Sequence, residues 1–254
     1  MSHIHIPDGV LPVWLWLSGW VVAALWVAVV CGIGRKQWDL RRKVPLVGIC
    51  AALMVIAMTL EIAPLDYHLN LSVITGIILG PVLAPLAALI TETFLALIGH
   101  GGVTVIGLNT LVLSVEMIVG WALFKGLRAV FGRLIGSNRA RTATAGVIAT
   151  VLALILATSL TVGVVALATP TLTAQRVAHE TTAQRARQTA SDSTDQLSLS
   201  TFIAVVAVLG PFGWAIEAGV TSVALVYLER LKPGLIENSR RDKGPGTLSP
   251  GGTA

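Results

Sequence analysis

Charged side chains are scarce in this sequence. They make up 12% of the 254 residues, whereas about a quarter of the residues are charged in a soluble protein. Hydrophobic residues account for 54%, and the mean hydropathy is +0.80, so there is too little polar surface to cover a soluble globule. The apolar residues form runs close to the roughly 20 residues that span a bilayer as a helix, which satisfies its own backbone hydrogen bonds in lipid. The composition therefore predicts an all-α, polytopic membrane bundle.

Cysteine and the common enzyme motifs are also nearly or wholly missing. The two cysteines, Cys31 and Cys50, lie in apolar segments without C-x-x-C spacing, which predicts reduced packing thiols. The sequence has no P-loop, G-x-S-x-G or H-E-x-x-H motif, so we expect neither an enzyme nor nucleotide hydrolysis through a P-loop. Residues 1–9 contain no Lys or Arg, which argues against a signal peptide in the first apolar run.

The positive charges are confined to short stretches between the apolar runs. This distribution, despite a net charge of +5, is typical of orienting loops and excludes a nucleic-acid groove. Positive loops stay in the cytoplasm, so residues 35–43, 125–141 and 230–243 are all predicted to be cytoplasmic. The apolar runs that they separate are Val10–Gly34, Val44–Ala63, Leu71–Ile98, Val103–Phe124, Thr142–Ala168 and Ser200–Leu228.

The third of these runs must be divided into two crossings if all three basic stretches are to lie in the cytoplasm. If residues 35–43 are inside, residues 61–71 are outside, and residues 71–124 must then cross the membrane an odd number of times. Three short crossings result if the long run breaks between Gly80-Pro81 and Pro85, with tilt or local thinning of the bilayer accommodating them. The sequence thus predicts seven transmembrane helices in the inner membrane, with the N-terminus outside and the C-terminus in the cytoplasm.

The remaining organisation is simple. Residues 1–236 are predicted to form one membrane-embedded substrate-binding domain. Within it, residues 169–199 are predicted to be a solvated polar loop on the outer side, which can include a helix. Residues 237–254 are rich in Gly, Pro and Ser and are predicted to be a disordered cytoplasmic tail. Three acids lie inside apolar runs, and we expect them to face the bundle interior, as structural hydrogen-bonding groups or as an ion relay: they are Glu92, Glu116 and Glu217.

Histidine is rare, with five copies, and the predicted topology places three histidine-bearing segments on the outer side: residues 1–9, 61–71 and 99–102. Imidazole is the nitrogen ligand suited to nickel, cobalt, copper and zinc. The chain start Met1-Ser2-His3 combines an amine, amide nitrogens and an imidazole in one chelating run, whether or not Met1 is removed. Candidate ligands on these segments are His3, His5, His68 and His100, while His179 receives no role.

Four blocks resemble the CbiM/NikM family, the cobalt/nickel substrate-capture components of energy-coupling factor (ECF) transporters. The resemblance covers residues 3–236, and its second and third blocks are the specific ones. The blocks are His5-Ile6-Pro7-Asp8-Gly9-Val10-Leu11-Pro12; His68 followed by Gly80-Pro81; His100-Gly101-Gly102-Val103-Thr104 with Gly107-Leu108-Asn109-Thr110; and Glu217-Ala218-Gly219-Val220-Thr221 through Pro233.

The resemblance implies a bundle whose N-terminal segment plugs into the core. It also implies metal binding by the terminal amine, an adjacent backbone nitrogen, the N-terminal histidine (His5 by alignment) and the loop histidine, His68. Because this chain has four residues ahead of His5, the amine cannot chelate together with the His5 amide. Either His3 takes the chelating role with His68, or His3, His5 and His68 bind without the amine. Residues expected to hold these ligands in place are Asn70, His100 and Asn109.

The function expected from these observations is capture of a cobalt or nickel ion, as transported substrate, at the outer face. The expected partners are a transmembrane coupling subunit and cytoplasmic ATPases, with Gly48 and Ala52 contributing to the coupling surface; the bilayer surrounds the protein and no nucleic acid binds. Two other classes stay open: a membrane metalloenzyme using His68, His100 and an intramembrane glutamate, and a metal sensor or scaffold without transport.

Overall fold

The computed structural model describes residues 11–36, 43–62, 67–179 and 199–232. In these ranges the chain is helical except for one antiparallel pair of two-residue strands, β1 (Glu61–Ile62) and β2 (Tyr67–His68), in which Glu61 pairs with His68. The helices are α1 (Val13–Lys36), α2 (Val44–Thr59), α3 (Ser72–Leu97), α4 (Ile106–Phe131), α5 (Asn138–His179) and α6 (Leu199–Leu231).

The helices confirm a multi-pass membrane protein. Within the described residues, five are long and apolar enough to cross a membrane, namely α1, α3, α4, α5 and α6, and α2 is a shorter apolar helix of 16 residues. The predicted outer loop 169–199 begins as a continuation of α5, which runs to His179. The predicted tail 237–254 lies outside the described residues.

The predicted break in the third apolar run is found at Gly80. The backbone there leaves the helical region (φ 76°, ψ 175°), a positive φ that glycine adopts without steric cost. The extended ψ suits a residue before proline, and Pro81 then starts the second half of α3, since its fixed φ suits a first helical turn. Helix α3 therefore consists of two helical segments, residues 72–79 and 81–97.

The two segments of α3 form a hairpin. The first packs across α4, since Ser72 contacts Glu116 and a Cβ built on Gly76 would lie 2.2 Å from the carbonyl oxygen of Met117. The second returns toward the start of α4, where Leu95 shares a cluster with Leu113. A straight helix of this length would extend about 39 Å, yet the residues flanking it, His68 and His100, have ring centroids 5.9 Å apart.

One end of the bundle carries the histidines and the other carries basic residues. We call the end with His68 and His100 the histidine end; α4 begins there and ends at the opposite, basic end. The basic end also receives the end of α1, the start of α2 and α5, and the end of α6. The basic residues there include Lys43, Arg128, Arg133, Arg139, Arg141, Arg230 and Lys232.

The prediction that residues 125–141 form a loop was wrong at its start. Helix α4 continues to Phe131, so Lys125 and Arg128 are helical. Long basic side chains can cover apolar surface while their charged heads find a partner: the Lys125 ammonium lies 4.6 Å from the Trp121 ring centroid, and Arg128 pairs with Glu229 of α6 at 2.5 Å. Charge alone therefore did not mark the end of this helix.

Residues 69–71, which we call the connector, join β2 to α3 through a strained residue. Leu71 has φ 55° and ψ 15°, a left-handed conformation that costs a residue with a Cβ roughly 1–2 kcal/mol. It is the one non-glycine residue with positive φ in the described part of the chain.

The strain at Leu71 predicts that glycine is more stabilising than alanine at this position, the reverse of their order within a helix. Leu71→Gly and Leu71→Ala both remove the leucine packing, but only glycine relieves the backbone, so we expect Leu71→Gly to be more stable by about 1 kcal/mol. At Ala52 in the exposed face of α2, glycine should instead be less stable than alanine by about 1 kcal/mol. Thermal unfolding in one detergent measures both pairs; alanine more stable than glycine at both positions would contradict the left-handed connector.

Candidate metal site

His68 lies on β2, at the mouth of the helical bundle. The strand pair holds its backbone opposite Glu61, and its side chain is half-buried. The chain then passes through the connector and turns into α3. Because β2 is only two residues long, the position of the His68 ring depends on how the connector is held below it.

His100 lies in a tight turn that closes α3. The amide of Gly99 donates to the carbonyl of Ala96 at 3.2 Å, and the amide of His100 donates to that of Leu95 at 2.8 Å, which is the Schellman pattern of helix ends. Gly99 and Gly101 on either side of His100 have φ values of 84° and 136°. Glycine is required on both sides because side chains rarely adopt such angles. The turn leaves the His100 side chain exposed.

The two histidines meet edge to face. Their ring centroids are 5.9 Å apart and the ring planes are inclined by 84°. With metal–nitrogen bonds of roughly 2.0–2.1 Å, two imidazoles on one ion would have centroids roughly 5–6 Å apart, so this spacing suits a shared ion as well as a packing contact. The prediction that the segments carrying His68 and His100 share one end of the molecule is confirmed.

A buried polar cluster lies directly under the connector. The amide Nδ2 of Asn70 donates to Glu116 Oε1 at 2.9 Å, and the hydroxyl of Ser72 donates to the same oxygen. Asn70, Ser72 and Glu116 are 1%, 0% and 0% exposed. Sequence reasoning singled out Asn70 as a positioning residue and Glu116 as an interior acid, but it missed Ser72 and the pairing itself.

The other sequence candidates are distributed around this cluster. Asn109 is buried in the first turn of α4. Glu92 and Glu217 are buried inside the bundle, as predicted. Among the described residues, no group of three or more His, Cys, Asp and Glu side chains is placed to hold a metal.

The N-terminal helix is fastened to the histidine end. The Trp20 indole donates to the carbonyl of Thr104 at 2.8 Å, in the loop that follows His100. A Cβ built on Gly107 would lie 2.6 Å from the Trp20 Cα, so α1 and α4 cross with their backbones almost in contact. Leu11 packs in a cluster with Val105 and Leu108. The chain upstream of Leu11, which includes His3 and His5, therefore leaves the described structure at the histidine end; those two residues lie outside the described ranges.

Comparison with known proteins agrees with this architecture. Residues 5–235 match the family model described as the cobalt uptake substrate-specific transmembrane region, CbiM. A solved structure of a transition metal transporter has a TM-score of 0.64 at 19% identity and covers 95% of this chain and 100% of its own. A truncated transition metal transporter has a TM-score of 0.62 at 19% identity and covers 90% of this chain and 99% of its own. No curated protein matches the chain.

Proposed function

Because the chain belongs to the CbiM family of cobalt uptake substrate-specific transmembrane regions, we propose that it is the metal-capturing membrane subunit of an ECF-type importer. The family gives it a transport role in metal uptake. Its substrate, in this proposal, is a cobalt or nickel ion that binds at the histidine end. The observation that carries the proposal is the contact between the His68 and His100 rings, at the end of the bundle where Leu11 packs.

We propose that the histidine end faces outward and the basic end faces the cytoplasm of the inner membrane. The clustering of described basic residues at the basic end supports this orientation, because positive charge is retained on the cytoplasmic side. If both segments of the α3 hairpin are counted, the membrane is entered by seven helical segments, with the N-terminus outside and the C-terminus inside. The segment 72–79 is short enough to be a re-entrant half-helix, buried among its neighbours.

The proposed metal ligands are His68 and the N-terminal histidines. His5 precedes Leu11 by six residues, a distance that an extended chain covers in about 20 Å, so its imidazole can reach the mouth beside His68. His3, with the terminal amine and the amides between, is the alternative chelating ligand. Nitrogen donors of this kind favour late first-row ions such as nickel and cobalt. In this proposal His100 packs against the His68 ring and holds it in place.

The energy for import has to come from partners, since the sequence has no P-loop. We propose a transmembrane coupling subunit and cytoplasmic ATPases. A surface for the coupling subunit is available on α2, where Gly48 and Ala52 are exposed and no described atom lies within 4 Å of a Cβ built on Gly48. Small residues spaced four apart allow two membrane helices to approach closely.

Equilibrium binding of Co(II), Ni(II), Cu(II) and Zn(II) to the purified protein tests the proposal. We expect tight binding of cobalt or nickel, and a loss of at least about 100-fold when residues 1–4 are deleted if His3 and the amine ligate. Unchanged affinity after that deletion would assign the site to His5 and His68 instead. If the full-length protein binds none of the four ions, the proposed function is wrong.

A further inference from the structure

One buried carboxyl group holds both sides of the strained residue in the connector. Glu116 Oε1 accepts hydrogen bonds from Asn70 and Ser72, and the residue between them is Leu71, with φ 55°. Strained backbone persists only where the surroundings determine it. We infer that Glu116 is a positioning residue for metal capture: it clamps the connector in the conformation in which the His68 ring meets the His100 ring. This inference rests on the proposed function and adds a residue to its site.

The clamp is a buried polar restraint on the connector. The bond to Glu116 is the one hydrogen bond of the Asn70 side chain among the described residues, since Asn70 Oδ1 is buried there without a partner. Without Glu116, the Asn70 amide would be buried with no hydrogen bond, which is strongly unfavourable. Movement of the connector away from α4 would then be favourable, because it would relax the backbone of Leu71 and let water hydrogen-bond to Asn70.

Movement of the connector would displace the His68 imidazole and so weaken metal binding. His68 precedes Asn70 by two residues, so few torsions separate the clamped amide from the ligating imidazole. Metal–ligand bonds tolerate deviations of roughly 0.2 Å, and loss of a partner that orients a ligand typically weakens metal binding about 10–100-fold. Glu116 is 46 residues from Asn70 in sequence and lies on α4, so the clamp also ties the histidine end to a fully buried residue of another helix.

Two substitutions at Glu116 separate the acceptor from the side-chain volume. Glu116→Met keeps an unbranched side chain but removes the acceptor, whereas Glu116→Gln keeps an amide oxygen that can still accept from Asn70 and Ser72. With whichever of Co(II) and Ni(II) the wild type binds, we expect the dissociation constant to rise about 10–100-fold in Glu116→Met and less than about threefold in Glu116→Gln. Glu217→Met, which removes an equally buried acid on α6, is the matched control and should resemble Glu116→Gln.

A change at Leu71 distinguishes clamping from general support of the fold. With Leu71→Gly the backbone conformation carries no strain, so adding Glu116→Met should weaken binding by a smaller factor than it does beside Leu71 or beside Leu71→Ala. Equal factors in the three backgrounds, or wild-type affinity in Glu116→Met, would overturn the clamp while leaving the proposed function intact. A wild-type protein that binds no metal would remove both.

Discussion

Replacing His68 by alanine should abolish most of the metal binding. A lost ligand should cost more than a lost orienting partner, so we expect the affinity for Co(II) or Ni(II) to fall by more than the roughly 10–100-fold typical of the latter. The reason is that His68 would supply an imidazole nitrogen to the ion, from a position held by β2 and the connector. Equilibrium titration with each ion measures the effect.

Two further histidine variants make this result specific. His100→Ala should weaken binding by about 10–100-fold, because His100 touches the His68 ring edge to face and would act by holding it in place. His179→Ala, at the end of α5, removes an imidazole with no assigned role and should bind like the wild type. If His100→Ala is as damaging as His68→Ala, both imidazoles ligate the ion; if His68→Ala binds normally, the site lies elsewhere.

The sequence was sufficient to predict that the segments carrying His68 and His100 lie at the same end of the molecule. The argument needed only the positive stretches and one rule on their location, because an odd number of crossings between residues 71 and 124 brings the segments of His68 and His100 to the same end. Glycine and proline at positions 80 and 81 marked the break, and the structure has its positive φ at Gly80. Signals of this kind are local, since backbone sterics and loop charge act through a few neighbouring residues.

The parts that escaped prediction depend on contacts between distant residues. Nothing near Glu116 in sequence indicates that it accepts from Asn70 and Ser72, 46 and 44 residues away. A buried acid on a membrane helix predicts some partner without saying which. The end of α4 was missed for the same reason: Arg128 is tolerated within the helix because Glu229, on α6, neutralises it.

Gly76→Ala should strongly destabilise the fold. A Cβ at this position would lie 2.2 Å from the carbonyl oxygen of Met117 and 2.8 Å from its carbonyl carbon. The obstacle is backbone on α4, which cannot rotate away as a side chain could, so the first segment of α3 must shift. Overpacking of this kind costs about 1–3 kcal/mol, and we expect the upper end of that range or more.

Gly126→Ala is the matched control for this substitution. Gly126 lies in α4, and no described atom is within 4 Å of a Cβ built there, so alanine should be neutral or gain up to about 1 kcal/mol through helix propensity. Thermal unfolding in one detergent compares the two variants. Because the first segment of α3 follows directly on the connector, any Gly76→Ala protein that remains folded should also bind metal more weakly, with Ser72 drawn away from Glu116. If the two variants unfold at the same temperature, α3 and α4 do not make the close approach on which the position of His68 depends.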